Sequence, residues 1–265
     1  MRLAALQALA TLTALLAACG GGVTAGSEAT EGDATARPER IVGLSTSFPI
    51  FWSEAGNIGD LLSTDAPRHW ARAELEALGE LRPLDTLTSG ERGTLDLPRD
   101  ALLVLIQPYP FSPDELVALD DWVRAGGHVL LFADPLATLH SQFALGDRRR
   151  PQDMAMLSPI LARWGLAMTF DQEQDAGPQT GDAFGVTLPT NLRGELKRGS
   201  GSSTCDLSNG GLAARCTIGE GSVLVVADSA LFDEAHAEDS DEANTDEASR
   251  RAALRALSGA ALAGS

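Results

Sequence analysis

Two aspartates, Asp134 and Asp228, each follow a short apolar run, and this placement predicts a polar site at one edge of a β-sheet. The carboxyl ends of parallel strands meet at a common edge, which is where open α/β sheets bind ligands. As a pair, the two carboxylates are suited to holding a cation or a polar ligand. The commoner use of such aspartates is to cap a helix or close a turn, and we favour that use here.

A second candidate is the polar and aromatic stretch that follows the first apolar run, Arg40 to Ser45. Ser45, Thr46, Ser47 and Trp52 are expected at the same edge of the sheet and are candidate ligand-binding residues. The alternative is that the aromatic side chains of this stretch cover the sheet edge, because apolar loop residues pack more often than they bind.

Three adjacent arginines, Arg148 to Arg150, stand out in an acidic chain. Arg148 and Arg149 are candidates for holding a phosphate or carboxylate, because a guanidinium group binds such anions through two parallel hydrogen bonds. The alternative is a solvated loop whose arginines pair with nearby acids such as Asp147 and Asp153. Surface charge runs usually have this second role.

Patterns typical of catalytic and metal sites are missing from the sequence. The four histidines are scattered, and none has the paired spacing of zinc ligands. No glycine-rich stretch matches a phosphate-binding loop. We therefore expect a protein without enzyme activity, cofactor or metal. The alternative is a periplasmic hydrolase that uses Ser45, Ser47 or Asp134 together with a histidine such as His140.

The segment Asp100 to Asp134 should position this edge, because it contains a complete strand, helix and second strand. Ala101 to Ile106 and His128 to Ala133 are continuous apolar runs, as expected of parallel strands covered on both faces. A capping box opens the intervening helix at Ser112, and Gly126-Gly127 ends it.

Further elements follow from periodicity and capping. Ala71 to Leu78 and Gln152 to Trp164 are amphipathic and predict helices, Leu81 to Leu87 and Leu166 to Phe170 predict strands, and Asn244 should cap a last helix. These elements should bury one set of side chains together: Leu102, Val104, Ile106, Leu116, Leu119, Trp122, Val129, Leu131, Ile160, Leu161, Val223 and Val225.

The first eighteen residues have the composition of an export signal, with an early arginine and a short Leu/Ala run, and are excluded from the fold. Leu16 to Gly20 resembles the lipobox of bacterial lipoproteins, in which Cys19 is lipidated and becomes the mature N-terminus. The alternative is an ordinary signal peptide with an incidental cysteine. Residues 19–38 predict a flexible tether, and residues 39–265 a single α/β domain. This organisation predicts a chain on the periplasmic face of the bacterial envelope.

The formal net charge of −17 argues against nucleic-acid binding and against adhesion to anionic lipid. Membrane attachment is therefore expected through the lipidated Cys19 alone.

Cys205 and Cys216 are predicted to form a disulfide bond, because export would place both thiols in an oxidising compartment. With Gly210-Gly211 as a two-residue hairpin turn, Leu207 lies opposite Ala214, and the two cysteines lie directly opposite each other.

FSPDELVALDDWVRAGGHVLLFADP (residues 111–135) together with GEGSVLVVADSALF (residues 219–232) resembles the auxiliary components of gliding-motility-type ABC transporters and related bacterial lipoprotein domains of unknown function. The resemblance implies a flavodoxin-like α/β fold of the class I glutamine-amidotransferase type. Such a fold has a mostly parallel sheet with helices on both faces. Independently of the resemblance, residues 186–220 consist of short polar and apolar pieces with Gly and Ser clusters, and they predict a small β-hairpin appendage. The resemblance also implies an accessory or ligand-sensing role beside ABC-transporter subunits. No catalytic residue is implied, because the turn at Ala133 to Leu136 lacks the nucleophilic cysteine of an active amidotransferase.

Overall fold

The computed structural model describes residues 40–55, 59, 68–89, 93–201, 203–233 and 240–264, and for residues 240–245 it describes the backbone only. The predicted signal peptide (residues 1–18), the predicted lipidation site Cys19 and the rest of the predicted tether (residues 20–38) lie outside these residues. Within the described part of the chain, no helix combines the length and the apolar character needed to cross a membrane.

Eleven strands and four α-helices form the regular structure of the described residues. The strands are β1 (Ile41–Thr46), β2 (Glu80–Pro83), β3 (Leu102–Ile106), β4 (His128–Phe132), β5 (Leu166–Phe170), β6 (Gln179–Ala183), β7 (Val186–Thr190), β8 (Gly194–Arg198), β9 (Thr204–Leu207), β10 (Ala213–Ile218) and β11 (Gly221–Val226). The helices are α1 (Trp70–Leu78), α2 (Pro113–Arg124), α3 (Ser158–Arg163) and α4 (Ser240–Ala263).

Seven of these strands form one sheet in the order β2-β1-β3-β4-β11-β10-β9. The first five strands in this order are parallel to one another, whereas β10 is antiparallel to both β11 and β9. The α/β class is confirmed, but the predicted flavodoxin-like, amidotransferase-like arrangement is wrong, because the sheet is mixed. The physical reason is the two-residue connection between β10 and β11, which is too short for anything except a hairpin.

The prediction of a separate β-hairpin appendage is also wrong. Strands β9 and β10 extend the main sheet instead of forming a separate unit, while β5 pairs with β8 and β6 pairs with β7 in two small antiparallel sheets. The apolar side chains of β10 pack into the same core as those of β11, so the hairpin is an integral edge of the sheet.

The central strand–helix–strand unit has the predicted form. The Ser112 hydroxyl accepts a hydrogen bond from the backbone N–H of Glu115, and the Glu115 side chain accepts one from the backbone N–H of Ser112, so the capping box is complete. At the other end, a Cβ atom on Gly127 would lie 2.3 Å from the Trp122 ring. Only glycine fits there, and the chain can therefore turn tightly from α2 into β4.

The core consists of two layers, one on each face of the sheet. Leu119, Trp122, Val129, Leu131, Ile160, Leu161, Val223 and Val225 belong to one layer, with Leu116 at its margin, and α2 and α3 cover it. Leu102, Val104 and Ile106 belong to the other layer, which α1 and α4 cover. The prediction that all twelve residues pack together is wrong, because successive side chains of a strand point to opposite faces.

Helix α3 is shorter than predicted, and residues 152–157 are irregular. Pro159 lies in its first turn, where proline is tolerated, but a proline inside a helix would remove a backbone donor and disfavour the α conformation of the preceding residue. Met156 is consequently 63% exposed. The helix is tied to α2 by Asp120, whose buried carboxylate accepts hydrogen bonds from Arg124, Arg163 and the Trp164 indole.

The disulfide between Cys205 and Cys216 is present, and the predicted register is confirmed, with Leu207 opposite Ala214 and the two cysteines opposite each other. The turn itself is longer than predicted. The backbone N–H of Ser208 donates to the carbonyl of Ala213, and a single 3₁₀ turn carries the two glycines at positive φ.

Helix α4 begins at Ser240, before the predicted cap at Asn244. Its apolar face, formed by Ala253, Leu254, Leu257 and Ala261, packs on the same side of the sheet as α1.

Candidate functional site

Four neighbouring strands end at one edge of the sheet, and a polar residue follows each of them. Ser47 follows β1, Gln107 follows β3, Asp134 follows β4, and Asp228 follows β11. All four residues are buried. This edge is therefore built around a set of buried polar groups, each of which needs a hydrogen-bond partner.

Gln107 forms hydrogen bonds with several of the surrounding segments. It is fully buried, and its backbone has a φ of 41°, in the left-handed region that glutamine seldom adopts. Its side-chain carbonyl accepts from the backbone N–H of Asp134, and its amide donates to the carbonyls of Asp134 and Gln152. Its own carbonyl accepts from the backbone N–H and the hydroxyl of Ser47. One glutamine thus links β1, β3, β4 and the following loop, which compensates for the unfavourable φ.

Asp134 is inaccessible to solvent, and both of its carboxylate oxygens accept hydrogen bonds from groups of the protein. One carboxylate oxygen accepts from the backbone N–H of Leu136, and the other accepts from the backbone N–H and the hydroxyl of Ser229, at 2.9 and 2.7 Å. Burial raises the pKa of Asp134 to about 6, although these hydrogen bonds favour the charged form. Asp134 closes a turn and joins the ends of β4 and β11.

Asp228 has a similar role. Its two oxygens accept from the backbone N–H groups of Ala230 and Asn191, at 2.6 and 2.9 Å. Burial, and then the negative charge of Asp134, raise the pKa of Asp228 to about 8. Burial also raises the pKa of nearby Asp233, whose carboxylate accepts a hydrogen bond from the Thr138 hydroxyl. The pKa values of all three carboxyl groups are thus raised above the ordinary value for aspartate.

The use of Asp134 and Asp228 as turn acceptors matches the interpretation that we favoured from the sequence. No set of three or more His, Cys, Asp or Glu side chains among the described residues is arranged to hold a metal ion. Their hydrogen bonds to backbone N–H groups and to the Ser229 hydroxyl make the two aspartates structural acceptors beneath the surface of the sheet edge.

A cleft of about 320 Å³ opens beside this buried network, above the ends of β1 and β3. It has the size of a small-molecule site. Its walls combine aromatic rings with a few polar groups: Thr46, Ser47, Phe48, Pro49, Phe51, Trp52, Ser53, Glu54, Ala55, Asp85, Tyr109, Phe143 and Arg149.

The rings of the cleft are in contact with cations and with each other. The Arg72 guanidinium lies 4.1 Å from the centre of the Phe51 ring, and the Arg149 guanidinium lies 4.2 Å from that of Phe143. Trp52 packs edge-on against Phe51 with 4.9 Å between ring centres, yet it remains 71% exposed. An exposed tryptophan in a concave surface is typical of a binding site.

The predicted site residues are divided between the cleft and its surroundings. Thr46, Ser47, Trp52 and Arg149 line the cleft. The remaining four do not: Ser45 is buried within β1, Asp134 and Asp228 belong to the network beneath, and Arg148 is exposed outside the cleft lining.

The arginine run pairs with acids of its own loop. Arg149 donates two hydrogen bonds to the carboxylate of Asp147, and Arg150 donates to Asp153 and to the carbonyl of Phe143. Arg149 and Arg150 therefore agree with the alternative interpretation, in which the arginines pair with nearby acids. These two ion pairs stiffen the loop beside the cleft.

Several residues of the site were missed by the sequence reasoning. Gln107 and Tyr109 follow an apolar strand, so the rule that identified Asp134 would also have found them. Glu54, Asp85 and Phe143 lie on loops that are far apart in sequence, and no local pattern distinguishes them.

Comparison with protein families finds a match to part of the chain. Residues 80–181 match the family described as "ABC-type uncharacterized transport system". Over this stretch, the chain is similar to auxiliary components of ABC-type transport systems. The matched segment is less than half of the chain, but it contains β3, α2, β4 and the cleft residues Asp85, Tyr109, Phe143 and Arg149. No curated protein matches the chain.

Solved structures with a similar arrangement include glycosidases. An exo-β-1,4-mannosidase, Op5Man5, from Opitutaceae bacterium strain TAV5 is 14% identical with a TM-score of 0.46, over 83% of this chain and 35% of that one. A β-galactosidase from Bacillus circulans sp. alkalophilus is 10% identical with a TM-score of 0.36, over 72% of this chain and 28% of that one. The chain spans about a third of the length of these enzymes. At such scores the similarity carries no argument about activity.

Proposed function

We propose that this protein is a non-enzymatic auxiliary component of an ABC-type transport system, and that it binds a ligand in the cleft at the carboxyl edge of its sheet. The family match over residues 80–181 carries this proposal, because the matched segment supplies the central strand–helix–strand unit and one wall of the cleft. A gliding-motility type of transporter is the narrower form of the proposal.

The hydrogen bonding of the cleft floor favours binding over hydrolysis. The Ser47 hydroxyl donates to the Gln107 carbonyl at 2.5 Å and accepts from the backbone N–H of Gln152 at 3.0 Å. A nucleophilic serine instead needs its hydroxyl proton directed to a base. The carboxylate of Asp134 is likewise occupied by backbone and hydroxyl donors. Both groups hold the loops that shape the cleft.

Anchoring through a lipidated Cys19 completes the proposal. The lipobox-like sequence at Leu16 to Gly20 supports it, as does the tether composition of the following residues. A tether of about twenty flexible residues spans on the order of 25 Å, which would allow the folded unit to contact a transporter in the same membrane.

Affinity capture of the full-length chain from membranes tests the proposal. A C-terminally tagged chain is expected to recover the ATP-binding and membrane-spanning subunits of an ABC transporter after mild detergent extraction. A tagged, unrelated lipoprotein is the control for non-specific recovery. Recovery of no transporter subunit above this control would contradict the proposal.

A further inference from the structure

We propose that the cleft binds a small organic ammonium ion, an inference that rests on the proposed ligand-binding role of the cleft and names its ligand class. Three observations support this chemistry: the concentration of aromatic rings, an incompletely hydrogen-bonded carboxylate, and the charge balance of the lining.

The aromatic rings of the chain are concentrated here. Of the four Trp, one Tyr and eight Phe residues in the sequence, five line this one cleft: Phe48, Phe51, Trp52, Tyr109 and Phe143. The face of an aromatic ring attracts a cation through its quadrupole, and tryptophan attracts one most strongly. Two rings of the cleft, Phe51 and Phe143, already have the guanidinium group of an arginine of this protein over their faces. Among the described residues, no cation lies over Trp52 or Tyr109.

Glu54 supplies the anionic group. One of its carboxylate oxygens accepts from the backbone N–H of Gln142 at 2.9 Å, while the other is buried and has no hydrogen-bond partner within the described part of the chain. A buried acceptor without a donor is costly. A turn of the Glu54 carboxylate towards the cleft would let an ammonium N–H satisfy this oxygen. Burial, and then the negative charge of Glu54, raise the pKa of Tyr109, which is consistent with a negative potential at the ring wall.

The charge balance of the lining favours a cation over an anion. Among the described residues of the lining, Glu54 and Asp85 are acidic and Arg149 is basic. The charge of Arg149 is neutralised by the two hydrogen bonds that it donates to Asp147. A carboxylate or phosphate would therefore meet an excess of negative charge. At about 320 Å³, the cleft suits a small molecule better than a folded partner.

A matched pair of probes tests the inference. Cyclohexylammonium and cyclohexanol have nearly the same shape and differ in charge, and glucose serves as a neutral, hydroxyl-rich probe. Isothermal titration calorimetry on the full chain is expected to show that cyclohexylammonium binds at least about tenfold more tightly than either neutral probe, since cation–π contacts and a charge-assisted hydrogen bond favour only the cation.

Variants of the cleft separate this interaction from general attraction to an acidic protein. Glu54→Gln and Trp52→Leu should each weaken cyclohexylammonium binding by about fivefold to tenfold, whereas Asp121→Asn, on the exposed side of α2, should leave it unchanged. If Glu54→Gln fails to fold, Trp52→Leu and Asp85→Asn decide the question.

Equal or tighter binding of cyclohexanol or glucose, no binding of any probe, or equal losses in Asp121→Asn and Glu54→Gln would overturn the inference. The capture experiment is performed without any amine. A failure of amine binding is therefore distinguishable from a failure of the transporter association.

Discussion

The buried carboxylates at the sheet edge make the stability of the protein depend on pH. The pKa values of Asp134 and Asp228 are raised from 3.8 to about 6 and about 8 respectively, because the charged forms lose solvent. Between about pH 4 and pH 8, the folded chain holds protons that the unfolded chain has released. The contribution of these two residues to stability therefore falls as the pH rises through this window.

Asp228→Asn tests this effect, because asparagine has nearly the same shape and does not titrate. We expect the free energy of unfolding of the natural chain to fall more steeply between pH 5 and pH 8 than that of Asp228→Asn. Urea unfolding at several pH values measures both slopes, with Asp121→Asn as an exposed control. Identical slopes in the natural chain and Asp228→Asn would show that Asp228 is ionised throughout.

The sequence predicted a residue of the site most readily where that residue directly follows a strand. Asp134 and Asp228 could be found because each directly follows an apolar run at the sheet edge. Glu54 and Phe143 could not, because they reach the cleft through loops whose paths depend on tertiary packing. The hydrogen bond between the Gln142 backbone and Glu54 spans 88 residues, and no local pattern predicts such a contact.

At the scale of elements, α2 is the main support of one face of the sheet. Leu119 is fully buried, whereas Val117 on the same helix is 60% exposed. Leu119→Ala should lower the free energy of unfolding by about 2–5 kcal/mol through lost burial and a cavity, whereas Val117→Ala should change it by less than about 0.5 kcal/mol. Chemical denaturation of both variants measures the difference. Similar losses in the two variants would contradict the orientation of the helix.

The disulfide stabilises the outer edge of the same sheet. Mutation of both Cys205 and Cys216 to serine should lower the free energy of unfolding by roughly 3 kcal/mol, because the short loop between them is no longer restricted in the unfolded chain. Alkylation of the mature protein without reductant, followed by mass spectrometry, should leave both cysteines unmodified. Modification of either one would mean that the bond does not form in the cell.

Local signals predicted the elements well, whereas their assembly into a mixed sheet was not predicted. The capping box at Ser112 and the glycines after α2 act within a few residues, and the structure has both. Whether β9 and β10 form an appendage or an edge depends on β11, which pairs with β4 across about ninety residues of sequence. The shortened α3 reflects the competition between helical periodicity and Pro159.

At the scale of the whole molecule, we propose that Cys19 holds the chain at a membrane. Cys19→Ser should leave the protein either soluble or with its signal sequence still attached, because the thiol that receives the lipid is absent. Membrane fractionation and intact-mass measurement distinguish the two outcomes from the lipidated form. A Cys19→Ser chain that stays membrane-bound and is processed normally would contradict the anchor.

Purification from the transporter side tests whether this chain belongs to a transport complex, as we propose. Once capture has identified the transporter, its ATP-binding subunit is tagged in cells that contain the natural, untagged chain, and the complex is isolated in mild detergent. Quantitative mass spectrometry should then find the chain in a molar amount comparable to that of the transporter subunits. An intact transporter recovered without the chain would contradict the account.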